Sequence, residues 1–309
     1  TEKSREKPFQ SVHPGRTGQR SGRIKKFWIT NKLYEGKEIM SNEKQSFLKR
    51  KNVIISFKRY GIDAMGSMAL GLFASLLIGT IINTIGTQFH IPFLTMAVAT
   101  VNDTQYTVGS LATAMSGPAM AVAIGYALHC PPLVLFSLIT VGFASNALGG
   151  AGGPLAVLFV AIVAAEIGKA VSKETKIDIL VTPLVTIGVG VGLSAWWAPA
   201  LGKAAMKVGS IIMWATDLQP FFMGILVSVF VGIALTLPIS SAAICAALGL
   251  TGLAGGAAVA GCCAQMVGFA VMSFRENKWG GLVSQGIGTS MLQMGNIVRN
   301  PRIWIAPIV

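Results

Sequence analysis

Charged side chains are scarce over most of this chain. Residues 61–309 carry only 16 Lys, Arg, Asp and Glu side chains in 249 positions, and long apolar stretches separate them. Soluble domains carry charge at about 25% of their positions, so this segment cannot present a surface to water. The mean hydropathy of +0.63 agrees. The sequence therefore excludes a soluble fold and predicts an all-α, polytopic membrane protein.

Positive charge is concentrated at the N-terminus instead. Residues 1–60 hold 16 of the 25 Lys and Arg and 5 of the 12 Asp and Glu. We predict that residues 1–57 form a basic, largely disordered cytoplasmic tail, because basic residues flank the cytoplasmic ends of membrane spans. Residues 58–309 are predicted to form the transmembrane domain. Since that domain is nearly neutral, nucleic-acid binding is not expected.

Both ends of the sequence are unusual. Residues 1–39 precede the first methionine, Met40. Two interpretations are open: upstream sequence translated from an incorrect start, with Met40 as the natural start, or a disordered basic tail. At the other end an apolar segment opens at Pro301 and stops at Val309, and truncation before further C-terminal helices is one interpretation.

The apolar stretches predict seven to nine membrane segments. A spanning helix needs about 20 apolar residues. Residues 62–86 and 179–197 are long enough, whereas residues 89–101 and 239–253 are too short to span alone. The short stretches are typical of broken or re-entrant helices.

Two segments are expected to lie elsewhere than in lipid. Residues 198–217 carry Lys203 and Lys207 four positions apart, which favours a separate amphipathic helix at the membrane interface. Residues 281–297 are too polar for lipid contact, so we expect them inside the bundle or at its cytoplasmic face.

Two glycine-rich turns interrupt the apolar stretches. They are Ala151-Gly152-Gly153 and Ala254-Gly255-Gly256, which lie 103 residues apart. Irregular backbone at bilayer depth is tolerated only where protein covers it or where it lines a wet cavity, as at transporter binding sites. We therefore predict that Gly152, Gly153, Gly255 and Gly256 line a substrate site. The spacing is compatible with a weak internal repeat or with a chance similarity between glycine-rich helices.

Asp103 is the most isolated charge in the membrane domain. It lies in Asn102-Asp103-Thr104-Gln105, with no Lys or Arg nearby in the sequence. An acid inside a membrane is costly and marks a functional site. Asn102, Asp103 and Gln105 are therefore candidate substrate ligands, and Asp103 is also a candidate proton carrier. The alternative is an extracellular loop between two helices.

Three further polar residues lie within or beside apolar segments. Asn146 precedes the first glycine-rich turn, where its amide could bind substrate or make a local turn hydrogen bond. Gln265 is either a pore-lining substrate ligand or an interhelical hydrogen-bonding group. Glu166 lies three residues before Lys169, so it is either a proton-coupling group or half of an ion pair.

Signatures of catalysis and of cofactor binding are absent from the sequence. There is no P-loop, HExxH or GxSxG motif, and neither the histidines nor the four cysteines have metal-ligand spacing. Gly188-Val189-Gly190-Val191-Gly192 lacks the spacing of a dinucleotide site. We expect no catalytic residue, metal or cofactor in this chain.

Three segments carry a resemblance to a known family: residues 116–121, residues 145–154 and residues 179–195. With these segments the chain resembles the stand-alone, membrane-embedded enzyme IIC-like proteins of the bacterial phosphoenolpyruvate-dependent sugar phosphotransferase system. The resemblance implies a sugar permease in the bacterial cell membrane, a homodimer, and separate cytosolic IIA and IIB partners. The chain would then be at most the membrane component of a sugar phosphotransferase, with no phosphorylation site of its own.

Two other functions remain open from the residues alone. An ion-coupled secondary transporter would use Asp103 or Glu166 to carry a proton. A membrane regulator or lipid-binding protein would transport nothing. The sugar permease is the function that we expect.

Overall fold

A computed structural model describes residues 47–101 and 103–308. The chain divides into two compact units, Thr1–Lys51 and Asn52–Val309. In the first unit, the described residues form one short helix, α1 (Phe47–Arg50), with the Arg50 guanidinium carbon 5.5 Å from the centre of the Phe47 ring. The predictions for residues 1–39 and for Met40 lie outside the described part of the chain.

Apart from loops and one β-hairpin, the described residues of the second unit are helical, in agreement with the predicted all-α class. Proline begins several helices, since it lacks the N–H that the first turn would leave unpaired. The longer helices are α2 (Lys58–Gln88), α5 (Ser116–Ala127), α6 (Pro132–Gly149), α7 (Gly153–Val171), α8 (Asp178–Thr216), α9 (Pro220–Thr236), α11 (Gly252–Met272) and α12 (Phe274–Val283), which is kinked at the left-handed residue Lys278. The shorter ones are α3 (Pro92–Thr95), α4 (Val108–Ala114), α10 (Ser241–Ala247), α13 (Met294–Arg299) and α14 (Ile305–Ile308).

Several of these helices are long and apolar enough to cross a membrane. Within the described ranges there are four such stretches, or five if α4 and α5, which are bent by 52°, count as one span. The multi-pass membrane class is therefore supported, whereas the predicted number of seven to nine segments is not confirmed. Three of the four stretches are α2, α8 and α11.

The fourth stretch, Pro132–Val171, is a helical hairpin rather than one straight rod. Its limbs α6 and α7 are joined by a turn of 3₁₀ helix, Gly150–Gly152. A Cβ atom added at Gly168, near the end of α7, would lie only 2.8 Å from a methyl of Val134, near the start of α6. The limbs have 18 and 19 residues, so each is about 27 Å long, close to the hydrocarbon thickness of a bilayer.

Helix α8 corrects one expectation. The predicted separate interfacial helix at residues 198–217 is wrong, because α8 runs without interruption from Asp178 to Thr216. Pro199 lies inside it, and a proline can bend a helix without ending it when both sides are packed. Ala198 and Ala205 are both buried on either side of that proline.

A second correction concerns residues 89–101, which were expected as a short membrane run. They contain α3 and the strand β1 (Ala99–Val101), which pairs antiparallel with β2 (Thr104–Tyr106). Asp103 lies in the turn with φ of 63°, a left-handed conformation that Asp adopts more readily than most residues. Three-residue strands are too short for their alternation to distinguish them from an apolar helical run.

Among the described residues the helices pack around three apolar cores, of which the smallest contains Phe269 of α11 and Met294 and Ile297 of α13. Two larger cores lie on either side of the turn between α6 and α7. The first joins α2, α5, α6 and α7, and includes Met68, Met120 and Leu138. The second joins the end of α8 with α9, α10 and α11, and includes Ile212 and Val227. The turn between α6 and α7 lies where the two cores meet, since Ala151 belongs to the second core while the helices on either side of it build the first.

Candidate functional site

A cavity of about 310 Å³ lies beside the turn between α6 and α7, and we call it the central cavity. Leu72, Leu76 and Leu77 of α2 form part of its wall, and Gly150 and Pro154 contribute from the turn. Polar side chains from five separate segments also line it: Thr80, Ser116, Asn146, Ser240, Ser241 and Thr289. Its volume is at the lower end of the range for small-molecule sites.

Every wall of the central cavity contains an irregular stretch of backbone. In α2 the residues Phe73–Leu77 form a π-helical segment, a feature frequent at functional sites. Ser116 lies directly after the bend between α4 and α5. Thr289, in extended conformation, follows a second π-helical segment, Ser284–Gly288. Gly150 adopts φ of 51° and ψ of −122°, a positive-φ conformation that glycine adopts at little steric cost.

The remaining irregularity is the break between α9 and α10, which contains Pro238. This break is hydrogen-bonded to the turn between α6 and α7, because the Ser240 N–H donates to the Ala151 carbonyl at 2.9 Å. The Ser240 hydroxyl also accepts from the Ala243 N–H at 3.2 Å and so caps α10. Two interruptions whose hydrogen-bonded residues lie 89 positions apart in sequence are therefore joined by a backbone hydrogen bond.

The lining of the central cavity is mostly apolar, and its polar groups are uncharged. The Asn146 amide donates to the Ser116 hydroxyl at 3.4 Å and lies against Gly153, where an added Cβ would be 2.5 Å from Asn146 Oδ1. No Lys, Arg, Asp or Glu is among the described residues that line the cavity. Hydroxyl and amide groups beside leucine side chains can bind a neutral molecule that has both hydroxyl groups and apolar faces.

Among the predicted ligands, Asn146 lines the central cavity, and Gly152 and Gly153 lie in the turn beside it. Gly152 is packed against α8, where an added Cβ would be 2.6 Å from the Leu201 carbonyl oxygen. Sequence reasoning missed Gly150, Ser240, Ser241, Ser116 and Thr289. The glycine-rich stretch around Gly150 and Pro238, which is followed by an N-capping serine, were the local signals for two of these segments.

The other predicted ligands lie elsewhere. Asp103 and Gln105 are exposed on the β-hairpin, while Asn102 is outside the described residues. Gly255 and Gly256 lie within the first turn of α11, so the predicted break at residues 254–256 is wrong. The left-handed glycines in this region are Gly249, before that helix, and Gly252, its first residue. The predicted repeat is accordingly not confirmed.

The environment of Gln265 agrees with its interpretation as an interhelical hydrogen-bonding group. Its side chain is 1% exposed on α11. With the amide oriented to suit its neighbours, it accepts from Trp304 Nε1 at 2.8 Å and donates to the Pro307 carbonyl at 3.1 Å. It lines a different cavity, of about 410 Å³, between α9 and α11. A substrate role for Gln265 in the central cavity therefore has no geometric support.

Glu166 belongs to a buried cluster at the end of the α6–α7 hairpin opposite the turn. Lys169 is 2% exposed, and its Nζ lies 2.7 Å from Glu166 Oε2. The same Nζ donates to the carbonyl oxygens of Asn52 at 3.0 Å and Leu128 at 3.2 Å. The Arg59 guanidinium also donates to the Leu128 carbonyl and to the Asn52 side chain. Glu166 thus agrees with the ion-pair interpretation.

Cys130, in the loop between α5 and α6, lies next to this cluster. Burial raises the pKa of its thiol from 9.0 to about 12. Because the thiolate is the reactive form, its population near neutral pH is about a thousandfold below that of a free cysteine. We expect iodoacetamide to alkylate Cys130 at least about a hundredfold more slowly in the folded protein than in the unfolded protein. Mass spectrometry after timed labelling measures both rates, and equal rates would contradict the burial.

The C-terminal polar stretch lies inside the molecule, as expected. Gln285 and Gln293 are both buried. Gln293 Nε2 donates to Gln285 Oε1 at 2.9 Å, Gln285 Nε2 donates to the Ser273 hydroxyl at 2.9 Å, and Asn296 Nδ2 donates to Gln293 Oε1 at 2.8 Å. This chain of amides holds α13 and the segment that carries Thr289 against α11 and α12.

Comparison with known proteins identifies the family. A family model described as "Phosphotransferase system, EIIC" matches residues 62–309, which is most of the chain and contains the whole central cavity. No curated protein and no solved structure matches the chain. The match confirms the resemblance carried by residues 116–121, 145–154 and 179–195. The chain therefore belongs to the EIIC family of the phosphotransferase system, the family of its membrane-embedded, multi-pass sugar permease components.

Proposed function

We propose that this protein translocates a sugar or sugar-like solute and that the central cavity is its sugar site. One observation carries the proposal: five irregular backbone segments, far apart in sequence, meet at one uncharged cavity with six polar side chains. Irregular backbone in a membrane persists where it lines a wet cavity, and transporter sites are built in this way. The family match supports the same function.

The lining suits a sugar better than an ion. A sugar presents hydroxyl groups around its ring and apolar C–H faces above and below it. The Asn146 amide and the hydroxyls of Ser116 and Ser241 can donate to the hydroxyl groups and accept from them, while Leu72 and Leu76 can contact a ring face. An ionised solute would find no opposite charge among the described lining residues, and its desolvation would be costly.

Ion coupling is not favoured by this arrangement. Asp103 lies exposed on the hairpin, and Glu166 is held by Lys169 at the far end of α7 from the turn. Neither acid reaches the central cavity, so neither carries a proton into it. We propose that energy comes instead from phosphoryl transfer to the solute by a separate cytosolic IIB partner, itself supplied by a IIA protein, as family membership implies.

The orientation and assembly are part of the same proposal. Arg59 and Lys169 share the Leu128 carbonyl, so the basic residues around them, including Lys58 and Lys173, lie at one end of the bundle. By the positive-inside rule this end and the N-terminus face the cytoplasm. We further propose that α6 and α7 cross the bacterial membrane separately, and that the protein works as a homodimer.

The proposal is tested by sugar binding to the purified protein and by uptake into vesicles. Asn146→Ala is expected to weaken binding of the transported sugar about tenfold or more, because partly buried hydrogen bonds are lost. Gln105→Ala, on the exposed hairpin, is the matched control and should change the affinity less than about twofold. Scintillation proximity with a panel of labelled sugars measures both.

Three results would count against the proposal. Equal losses in the two variants would remove the central cavity as the sugar site. Binding of no sugar by the wild-type protein would remove the sugar itself. Uptake that is abolished by a proton uncoupler, but is independent of phosphoenolpyruvate, would favour the ion-coupled transporter instead.

A further inference from the structure

A second concave surface lies on the other side of the glycine turn, and we call it the basic groove. It has a volume of about 600 Å³ and runs between α8, the turn and α10. Gly202 marks one end of it, because an added Cβ would lie 2.7 Å from the Gly149 carbonyl. Ser210, the last residue of α8 that lines it, marks the other end, about 12 Å further along the helix.

Two lysines give the basic groove its charge. Lys203 and Lys207 lie one helical turn apart on α8 and so project on the same side, with Ser210 one turn further on. They are the charged residues among the described ones that line the groove, and α10 and the turn contribute none. The next acid after Lys207 is Asp217, directly after the end of α8, ten residues and about 15 Å further on.

These lysines lack protein counter-charges. Neither Lys203 nor Lys207 forms an ion pair with another described residue, although both are exposed. Two like charges at this spacing repel each other, and the repulsion grows where apolar walls lower the local dielectric. A bound anion would relieve it.

The floor of the groove limits which anion fits. Met206, Leu148, Ala243 and Ala247 make it mostly apolar, so a small hydrophilic anion would leave most of it uncovered. An amphiphile matches both parts, with a phosphate on the lysines and hydrocarbon along the alanines, methionine and leucine. We infer that the basic groove binds the headgroup and upper acyl chain of an anionic phospholipid.

The experiment titrates the purified full-length protein with phosphatidylglycerol or phosphatidylcholine and reads lipid occupancy by native mass spectrometry. We expect phosphatidylglycerol to bind at least about tenfold more tightly than phosphatidylcholine. The double variant Lys203→Gln/Lys207→Gln should weaken phosphatidylglycerol binding about thirtyfold, given the usual contribution of each lysine near an anionic lipid. The control Lys173→Gln/Lys176→Gln, with the same change of charge in an exposed loop, should weaken it less than about threefold.

A third variant tests the apolar half of the site. Ala247→Phe fills the groove from α10 and keeps both lysines, and we expect it to weaken phosphatidylglycerol binding about tenfold. Unfolding temperatures in phosphatidylcholine report whether each variant is folded. The inference is overturned if the two double lysine variants weaken phosphatidylglycerol binding equally, or if Ala247→Phe binds this lipid as well as the wild type does. It is also overturned if the wild type does not prefer phosphatidylglycerol to phosphatidylcholine, or if about 10 mM inorganic phosphate displaces the bound lipid.

Discussion

Lys169→Met is expected to destabilise the folded protein by about 3–5 kcal/mol. The substitution leaves Glu166 as a buried charge without its cation, and it removes the donor to the Asn52 and Leu128 carbonyls. Breaking one side of a buried ion pair has effects of this size, because the remaining charge cannot regain water. Reversible unfolding in mixed micelles titrated with SDS measures the loss.

Two further variants separate the ion pair from side-chain size. Lys173→Met, in the exposed loop, makes the same chemical change and should alter the free energy of unfolding by less than about 0.5 kcal/mol. Adding Glu166→Gln to Lys169→Met should recover part of the loss, since the unpaired charge is then gone. If Lys169→Met were as stable as Lys173→Met, the buried cluster would not hold this end of the bundle.

Gly152→Ala is expected to destabilise the protein by about 1–3 kcal/mol and to weaken sugar binding as well. An added Cβ would lie 2.6 Å from the carbonyl oxygen of Leu201 and 2.8 Å from its carbon, both backbone atoms of α8. No rotamer change can relieve such a contact, so the turn or the helix must move. The central cavity would change with it, because Gly150 and Pro154 in its wall flank Gly152.

The matched control is Gly188→Ala. Gly188 lies in the interior of α8, and an added Cβ there has no atom within 4 Å. Alanine should be neutral or stabilise that helix by up to about 1 kcal/mol. Melting temperatures and sugar affinities of the two variants test this contrast. If Gly152→Ala matches Gly188→Ala in both measurements, the turn accommodates a Cβ atom at residue 152 and the prediction is wrong.

The turn between α6 and α7 could be predicted from the sequence because its signal is local. Residues 149–154 contain four glycines and a proline, which together disfavour a continuous helix. Asn146 beside it was found for the same reason. By contrast, Thr289 and Ser241 reach the central cavity only because α9, α10 and the C-terminal segment fold back onto this turn. That packing depends on contacts between distant segments, which no local pattern records.

The errors have a similar physical origin. The predicted boundary near residue 198 rested on Lys203 and Lys207, but packing on both sides of Pro199 keeps α8 continuous. Gly255 and Gly256 resemble the first turn in sequence, yet Gly249 and Gly252 already make the left-handed turns that begin α11. Glycine content indicates that a break is near, whereas the tertiary contacts decide which glycine makes it.

The buried lysine has a consequence for how the chain enters the bilayer during synthesis. Glu166, one turn before Lys169 on the same helix, can neutralise it as soon as α7 forms. The Leu128 carbonyl, however, precedes α6, so this partner becomes available only when both limbs lie side by side. We therefore expect the insertion machinery to release α6 and α7 into the bilayer together, as a packed pair. If translation stalls after α6 and before α7, we expect α6 to remain at the lateral opening of the insertion channel.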